Sequence, residues 1–355
     1  MFRLRGDLTK SQSLVLSIIG AAIFLGIWII LTMGANPILK PATLPSPMRV
    51  LTSYSDLLKD NDLVQNTFKS IGLNLSGYVI ALLISLPLGF LIGLTPFVRG
   101  LFQKTVEAVR FVPLTATVGL FIVWFGIGTS MKSIFMAFGI LIFFLPVVVQ
   151  RINEVEDVYL KTVYTLGATS WQTIRTVYIP SVLSRLWDDI RIMTAISWTY
   201  IIFVEAIGSE GGLGYLTLFG ARRQGRIDKV FALLILIIVI GILQDRIFAR
   251  LDKKIFPHKY QTKGKYEAHD QSSFASIKNT IFDYTWTAFT WIALLLYVIA
   301  ALDEVFGVMG HINILSFLFG GTVWVIHFIF LLIIGYKLYS LTNKKSAQDG
   351  RVSVS

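Results

Sequence analysis

NEVEDVYLKTVYTLGATSWQTIRTVYIP, Asn153 to Pro180, is a polar island between two long apolar runs. It reads as two short helices joined by a hinge. Asn153 stands three residues ahead of Glu156, the spacing of a capping box, and Glu154 and Asp157 suit the positive N-terminal end of a helix. Gly167 is a natural stop, because glycine takes the left-handed conformation that closes helix C-termini. Val155, Val158, Thr162, Val163 and Leu166 then share one face. Thr169 with Gln172 repeats the capping pattern, so a second helix starts near Ser170. It finishes before Pro180, because proline disfavours helix in the residue preceding it.

The rest of the chain is oily. Of 355 residues, 54% are hydrophobic and 15% charged, with a mean hydropathy of +0.68. A soluble domain averages about 25% charged residues, so this is a polytopic membrane protein. The net charge of +11 does not indicate nucleic acid, since the basic residues mostly flank apolar runs in short segments, as the positive-inside rule expects. Absence of cysteine excludes a disulfide framework, a thiolate metal site and a cysteine nucleophile.

The order Gly167, Val177, Ile179, Pro180 resembles the cytoplasmic "EAA" loop of ABC-transporter permeases. In that family the loop is a coupling helix seated in a cleft of the ATPase subunit. The resemblance implies that Tyr159, Thr162, Val163, Leu166, Gly167, Ala168, Val177 and Pro180 dock the ATPase. Where the family has Glu-Ala-Ala, this chain has Lys161, Thr162 and Val163. The bare alternative is an ordinary helical hairpin between two spans.

Taken in order, the chain supplies a basic cytoplasmic N-terminus over residues 1–12 with Arg3, Arg5 and Lys10, then an apolar run from Leu14 to Met33 long enough to cross a bilayer. A signal peptide would have a shorter apolar stretch and an A-x-A-like site, so the run is expected to remain as a span. A proline-rich connection leads to a short helix, roughly Pro47 to Leu57. LPSP at Leu44 to Pro47 and the following NTFKSI are similar to an external segment of the nitrate, sulfonate and taurine branch of these permeases. Ile71 to Leu94 is the second span, with Gly89 and Gly93 in a GxxxG that lets another helix approach.

RFVPLTATVGLFIVWFGIG, Arg110 to Gly128, resembles the family's third span; Pro113, Ala116, Trp124, Phe125, Gly126 and Gly128 match, while Gly119 stands where the family has a second proline. Pro113 and Gly119 predict a kink that faces protein or a water-filled path. Ile134 to Val149 and about Ile190 to Ile207 are the fourth and fifth spans. SWTYIIFVEAIG places Glu205 on the family's acidic position, and a carboxylate at membrane depth marks either a functional site or an ion-pair partner of a nearby arginine. Pro113, Thr115, Trp124 and Glu205 are the candidate translocation-path residues.

Gly208 to Lys229 is expected as an external loop, in which Gly212 to Tyr215 look like the family's GLG segment. Arg222, Arg223 and Arg226 are placed to meet an anionic solute, an acidic patch on a binding protein, or lipid headgroups. Val230 to Phe248 is the sixth span, ending in basic RLDKKIFPHK.

The fold expected is an all-α polytopic membrane protein, with a six-span type I ABC importer permease core at 13–258 and the coupling loop at 153–180. A polar linker (259–279), a two-span C-terminal extension (280–340) and a cytoplasmic tail (341–355) follow. The extension's spans are about Tyr284 to Leu302 and Ile312 to Tyr336, and His327 sits within the second. It hydrogen-bonds a neighbouring helix or handles protons.

Gly264-Lys265 is followed by Tyr266 and lacks the P-loop's upstream glycine, while Gly126 and Gly128 are followed by Met131 where GxGxxG needs its third glycine. The four histidines have no metal-ligand spacing. No cofactor is expected on this chain; the resemblance puts ATP and Mg on partner ATPases. It also implies a periplasmic or lipid-anchored binding protein, a second permease copy, and membrane lipids around the assembly. The location implied is the bacterial inner membrane, multi-pass with both termini cytoplasmic. The function implied is uptake of a small anionic solute of the sulfonate, nitrate, taurine or bicarbonate type. The rival readings are an ATPase-independent secondary transporter or channel, and a membrane assembly scaffold or enzyme.

Overall fold

The computed structural model describes residues 8–34, 37–208, 210–260, 273–307 and 313–352. Arg3, Arg5 and most of the expected linker lie outside them, as does the side chain of Trp286. Every regular element among the described residues is helical. Five helices are long and apolar enough to cross a membrane, or six if one bent pair counts as a span.

Helix α1 (Lys10–Thr32) is capped by Thr9 and Gln12 and is exposed along its apolar run. It touches the rest through Trp28, whose indole donates to the Pro45 carbonyl at 2.9 Å and tilts against Phe231. Helix α2 (Pro47–Asp60) starts with Ser46 as cap and Pro47 in its first turn, where a missing N–H costs nothing. Its buried Val50, Ser53 and Leu57 make an apolar stripe, the pattern of a helix lying on the bundle.

Helix α3 (Leu63–Leu94) is longer than the expected Ile71–Leu94 and packs along α6 (Thr129–Asn153), the most buried span. The approach is close because Gly77 faces Met136, Gly89 faces Val148 and Gly93 faces Ile152. A Cβ at Gly89 would lie 2.4 Å from Val148. Small residues at such contacts supply van der Waals packing that lipid cannot replace.

The expected third span is two helices. Helix α4 (Pro96–Val109) and α5 (Leu114–Phe125) meet at 108°, with Pro113 at the N-cap of α5. The break is sharper than a mid-span kink, because proline caps the new helix instead of interrupting an old one. Helix α7 (Asp157–Thr165) and α8 (Ser170–Thr173) form the elbow, and a π-helical turn at Ile174–Tyr178 joins α8 to α9 (Ile179–Glu205). The second elbow helix therefore does not end before Pro180. Ile179 N–H bonds Ile174 O in the wider π register, and proline enters the first turn of α9 with no donor to lose.

The expected external loop after α9 contains α10 (Leu213–Tyr215) and a π turn (Leu216–Ala221), with Leu213, Gly214, Thr217 and Ala221 buried. Helix α11 (Ile227–Ile255) leads to α12 (Ser273–Phe306). The last apolar run then breaks: α13 (Ile314–Phe319) and a 3-10 turn at Gly320–Thr322 precede α14 (Val323–Val352). Val325, Ile326, Ala300 and Leu315 make a second small core against Leu75 and Val79 of α3. Phe319 packs edge-on to Phe68, and Gln65 donates to the Phe317 carbonyl at 2.9 Å. The appended helices thus dock on the permease bundle through α3.

Replacing Gly89 by leucine should force α3 and α6 apart and cost about 1–3 kcal/mol, the usual range for overpacking. A lowered thermal midpoint in detergent, with Gly119→Ala unchanged because that position has open space, would check it.

Candidate functional site

The elbow is closed by local chemistry. Thr169 accepts from Gln172 N–H while Gln172 reaches back to Thr169 N–H, the expected reciprocal cap. Gly167 has φ +77°, and Gly167 N–H and Ala168 N–H bond Tyr164 O and Val163 O, a Schellman closure. The first cap differs from expectation. Asn153 is the last residue of α6, and Glu156 is the N-cap of α7 without a side-chain bond.

At the elbow's base, Arg151 grips Asp189 through two bonds of 2.7 and 2.8 Å and Glu154 at 2.7 Å. Arg185 donates to the Glu154 carbonyl at 2.8 Å. The fork joins the end of α6 to the first half of α9, and its bond holds the Glu154 carboxyl below its ordinary range. The expected single face is split, because Val155 is buried before α7 begins while Val158 and Leu166 point outward. Val158, Tyr159, Tyr164, Leu166 and Trp171 form an apolar outer surface, Leu166 being 80% exposed and Trp171 67%. Among the candidate docking residues, Tyr159, Thr162, Leu166, Gly167 and Pro180 are exposed, Val163 and Ala168 half-buried, and Val177 buried. Trp171 and Tyr164 escaped the sequence reading; an aromatic set among polar residues on a hinge was their signal.

At the opposite end of the bundle, Glu205 is 2% exposed, and among the described residues its carboxyl bonds no arginine. Ser70 hydroxyl donates to Oε1 at 2.6 Å and Gly214 N–H to Oε2 at 2.7 Å. Leu213 N–H donates to the Ser70 oxygen at 2.8 Å, and Gly212 N–H to Asn66 Oδ1 at 2.7 Å. Any Cβ at Gly212 would sit 2.4 Å from the carboxyl, so the glycines of this segment are required by the cage. NTFKSI supplies Asn66, Lys69 and Ser70 to this region. Lys132 on α6 is buried and pairs with Glu210 at 3.2 Å. A charge placed just ahead of the Ile134 run was its available signal.

The candidate path residues stand in different surroundings. Pro113, Thr115 and Trp124 lie along the exposed side of α4–α5, whereas Glu205 belongs to the cage. The candidate arginines also separate. Arg226 bonds Asp56 and Asp228, both at 2.8 Å, tying α2 to α11. Arg222 and Arg223 are exposed, the latter 4.4 Å over the Phe219 ring.

Residues 85–257 match the family of binding-protein-dependent transport system inner membrane components. A putative ABC transporter permease of Methanocaldococcus jannaschii is 30% identical over 252 residues, covering 70% of this chain and 93% of that one. The chain belongs to this permease family. The taurine transport system permease of Escherichia coli K12 is 27% identical, over 72% of this chain and 94% of its own length. A putative aliphatic sulfonates transport permease of Bacillus subtilis 168 is 27% identical, over 68% and 87% respectively. The protein is therefore the multi-pass inner-membrane permease of a binding-protein-dependent ABC importer, a transport component and not an enzyme. Membership favours this reading over the ATPase-independent alternative. The matched region ends with α11 and its basic tail, ahead of the appended helices.

Two outcomes follow from the permease's two ends. Glu205→Leu should release the cage, each lost bond to a buried amide costing about 1–3 kcal/mol. Hydrogen exchange at Leu213 and Gly214 should quicken by about tenfold or more while the α3–α6 amides keep their protection. At the elbow, lowering of the Glu154 pKa means its stabilising effect is complete above the ordinary value of 4.5 and lost as pH falls through the folded value. The midpoint gap between wild type and Glu154→Gln, about 0.5 kcal/mol for so exposed a pair, should be full at pH 7 and close as acidification passes the folded value below 4.5.

Proposed function

We propose that this permease imports a small anionic solute of the sulfonate, taurine, nitrate or bicarbonate type, with partner ATPases driving it through the elbow. The single observation that carries the reading is the elbow's apolar outer surface, held on a fork of ion pairs. A loop of this kind in water marks a protein interface, because aromatic and leucine side chains left exposed together gain from being covered. ATP and Mg belong to those partners. ATPase closure shifts the elbow, and α9 carries the shift toward Glu205 and the α4–α5 break.

A second permease copy completes the path, since the exposed side of α5 with Thr115 and Trp124 has no counterpart within one chain. A periplasmic or lipid-anchored binding protein delivers solute to the cage end, where the exposed Arg222 and Arg223 attract acidic or anionic surfaces. The elbow then faces the cytoplasm, as do both termini. The sulfonate and taurine permeases named above motivate the solute class.

Leu166→Arg and Trp171→Arg should each cut co-purification of the cognate ATPase by about tenfold or more, as buried interface anchors do. ATP-driven uptake in proteoliposomes should fall with it, while expression and thermal midpoint stay near wild type. Undiminished co-purification with both changes would move the contact elsewhere. Uptake that followed an ion gradient without the ATPase would restore the secondary-transporter reading.

A further inference from the structure

Lys132 is an ammonium with three donors, and its side chain is 3% exposed. Among the described residues, the acceptor it reaches is one oxygen of Glu210, a side chain 43% exposed. Buried charge needs a counter-charge; Glu205 stands within electrostatic reach, yet the carboxylate bonded to Lys132 is carried by a surface loop. Gly208 and Gly211, at φ +78° and +90°, stand on either side of the glutamate. Thr129 hydroxyl donates to the same Glu210 carboxylate at 3.1 Å, and Lys69 Nζ reaches the Glu210 backbone oxygen at 3.3 Å.

These groups line a cavity of about 320 Å³ whose far wall is the appended Phe319–Thr322 turn. Glu205 also lines it, with both oxygens already accepting from Ser70 and Gly214. The donors of Lys132 and Thr129 meet on the Glu210 carboxylate, and Lys69 Nζ stands beside them on the Glu210 backbone oxygen. They present an acceptor-shaped vacancy as soon as that side chain turns to solvent.

We propose that this cavity is an anion site for a small sulfonate- or sulfate-type oxyanion, and that Glu210 is an exchangeable stand-in for the ligand. The oxyanion accepts from Lys132, Thr129 and Lys69 while the Glu210 side chain rotates outward. The appended helices complete the site by closing its outer wall. The solute class rests on the reading above, but the site is a property of this chain alone. Its test therefore uses the purified full chain without ATPase, and a failure here leaves the elbow reading untouched.

Thermal unfolding is followed while sodium sulfate or methanesulfonate replaces chloride at constant ionic strength. In Glu210→Gln the tethered competitor, present at an effective millimolar concentration, is gone. Its midpoint should start lower than wild type in chloride, then recover with an anion half-saturation at least about tenfold below that of wild type. Lys132→Gln should show no response beyond the general salting effect of sulfate. Lys69→Gln leaves the Lys132–Glu210 pair in place and should raise the half-saturation of the otherwise wild-type chain about tenfold, which keeps the test valid if Glu210→Gln fails to fold. Equal anion responses in wild type and Glu210→Gln would make the pair a plain salt bridge and overturn the site. An unchanged Lys69→Gln titration would do the same.

Discussion

The Glu205 carboxylate is the constraint on which the upper half of the bundle depends. Taken from water without protein partners, an ionisable group of this kind costs several kcal/mol, so the chain must bring donors to it. Ser70 on α3 and the Gly214 amide do so, and each is itself positioned by a further bond. One side chain thereby fixes where α3, α9 and the Gly211–Tyr215 segment stand relative to one another. The glycines follow from the same demand, since any larger residue at 212 would occupy the carboxyl's volume. What reads along the chain as a flexible glycine loop is, in space, the lid of a buried acid.

Legibility followed range. Thr169 with Gln172 and the stop at Gly167 are satisfied within a few residues, so their pattern could be read directly. The GxxxG at Gly89 and Gly93 was equally plain, because a small residue on an apolar helix has few other uses. Pro180 misled, since its local preference is overridden by a π turn that only the continuation into α9 explains. Asn153 misled for a related reason: α6 runs on through it, so the N-cap of α7 falls to Glu156, which makes no side-chain bond. Lys132 and Glu210 were invisible as a pair, being joined only by folding.

The 108° break at Pro113 shows the same limit on a larger scale. Proline announced an irregularity, but its size depends on α5 finding partners on α6, among them Phe121 against Phe135 and Phe138. The candidate residues of α5 are exposed and the cage acid is buried, though one family pattern had grouped them. A pattern gathers residues by role across many proteins, while distance within one chain decides which of them can act on the same ion.

Two helices connect the ends. Helix α6 begins with Thr129 and Lys132 at the charged cavity and finishes with Arg151 at the elbow; α9 begins at the elbow's π turn and finishes with Glu205. At 1.5 Å per residue, the 27 residues of α9 span about 40 Å, enough to cross the hydrocarbon core. The Arg151–Asp189 fork fastens the two where the elbow meets them. Moving the elbow end of α6 independently of α9 would break this two-point charged bond. The Ser70 and Gly214 bonds to Glu205 lie at the far end of α9, and they border the cavity in which Lys132 holds Glu210.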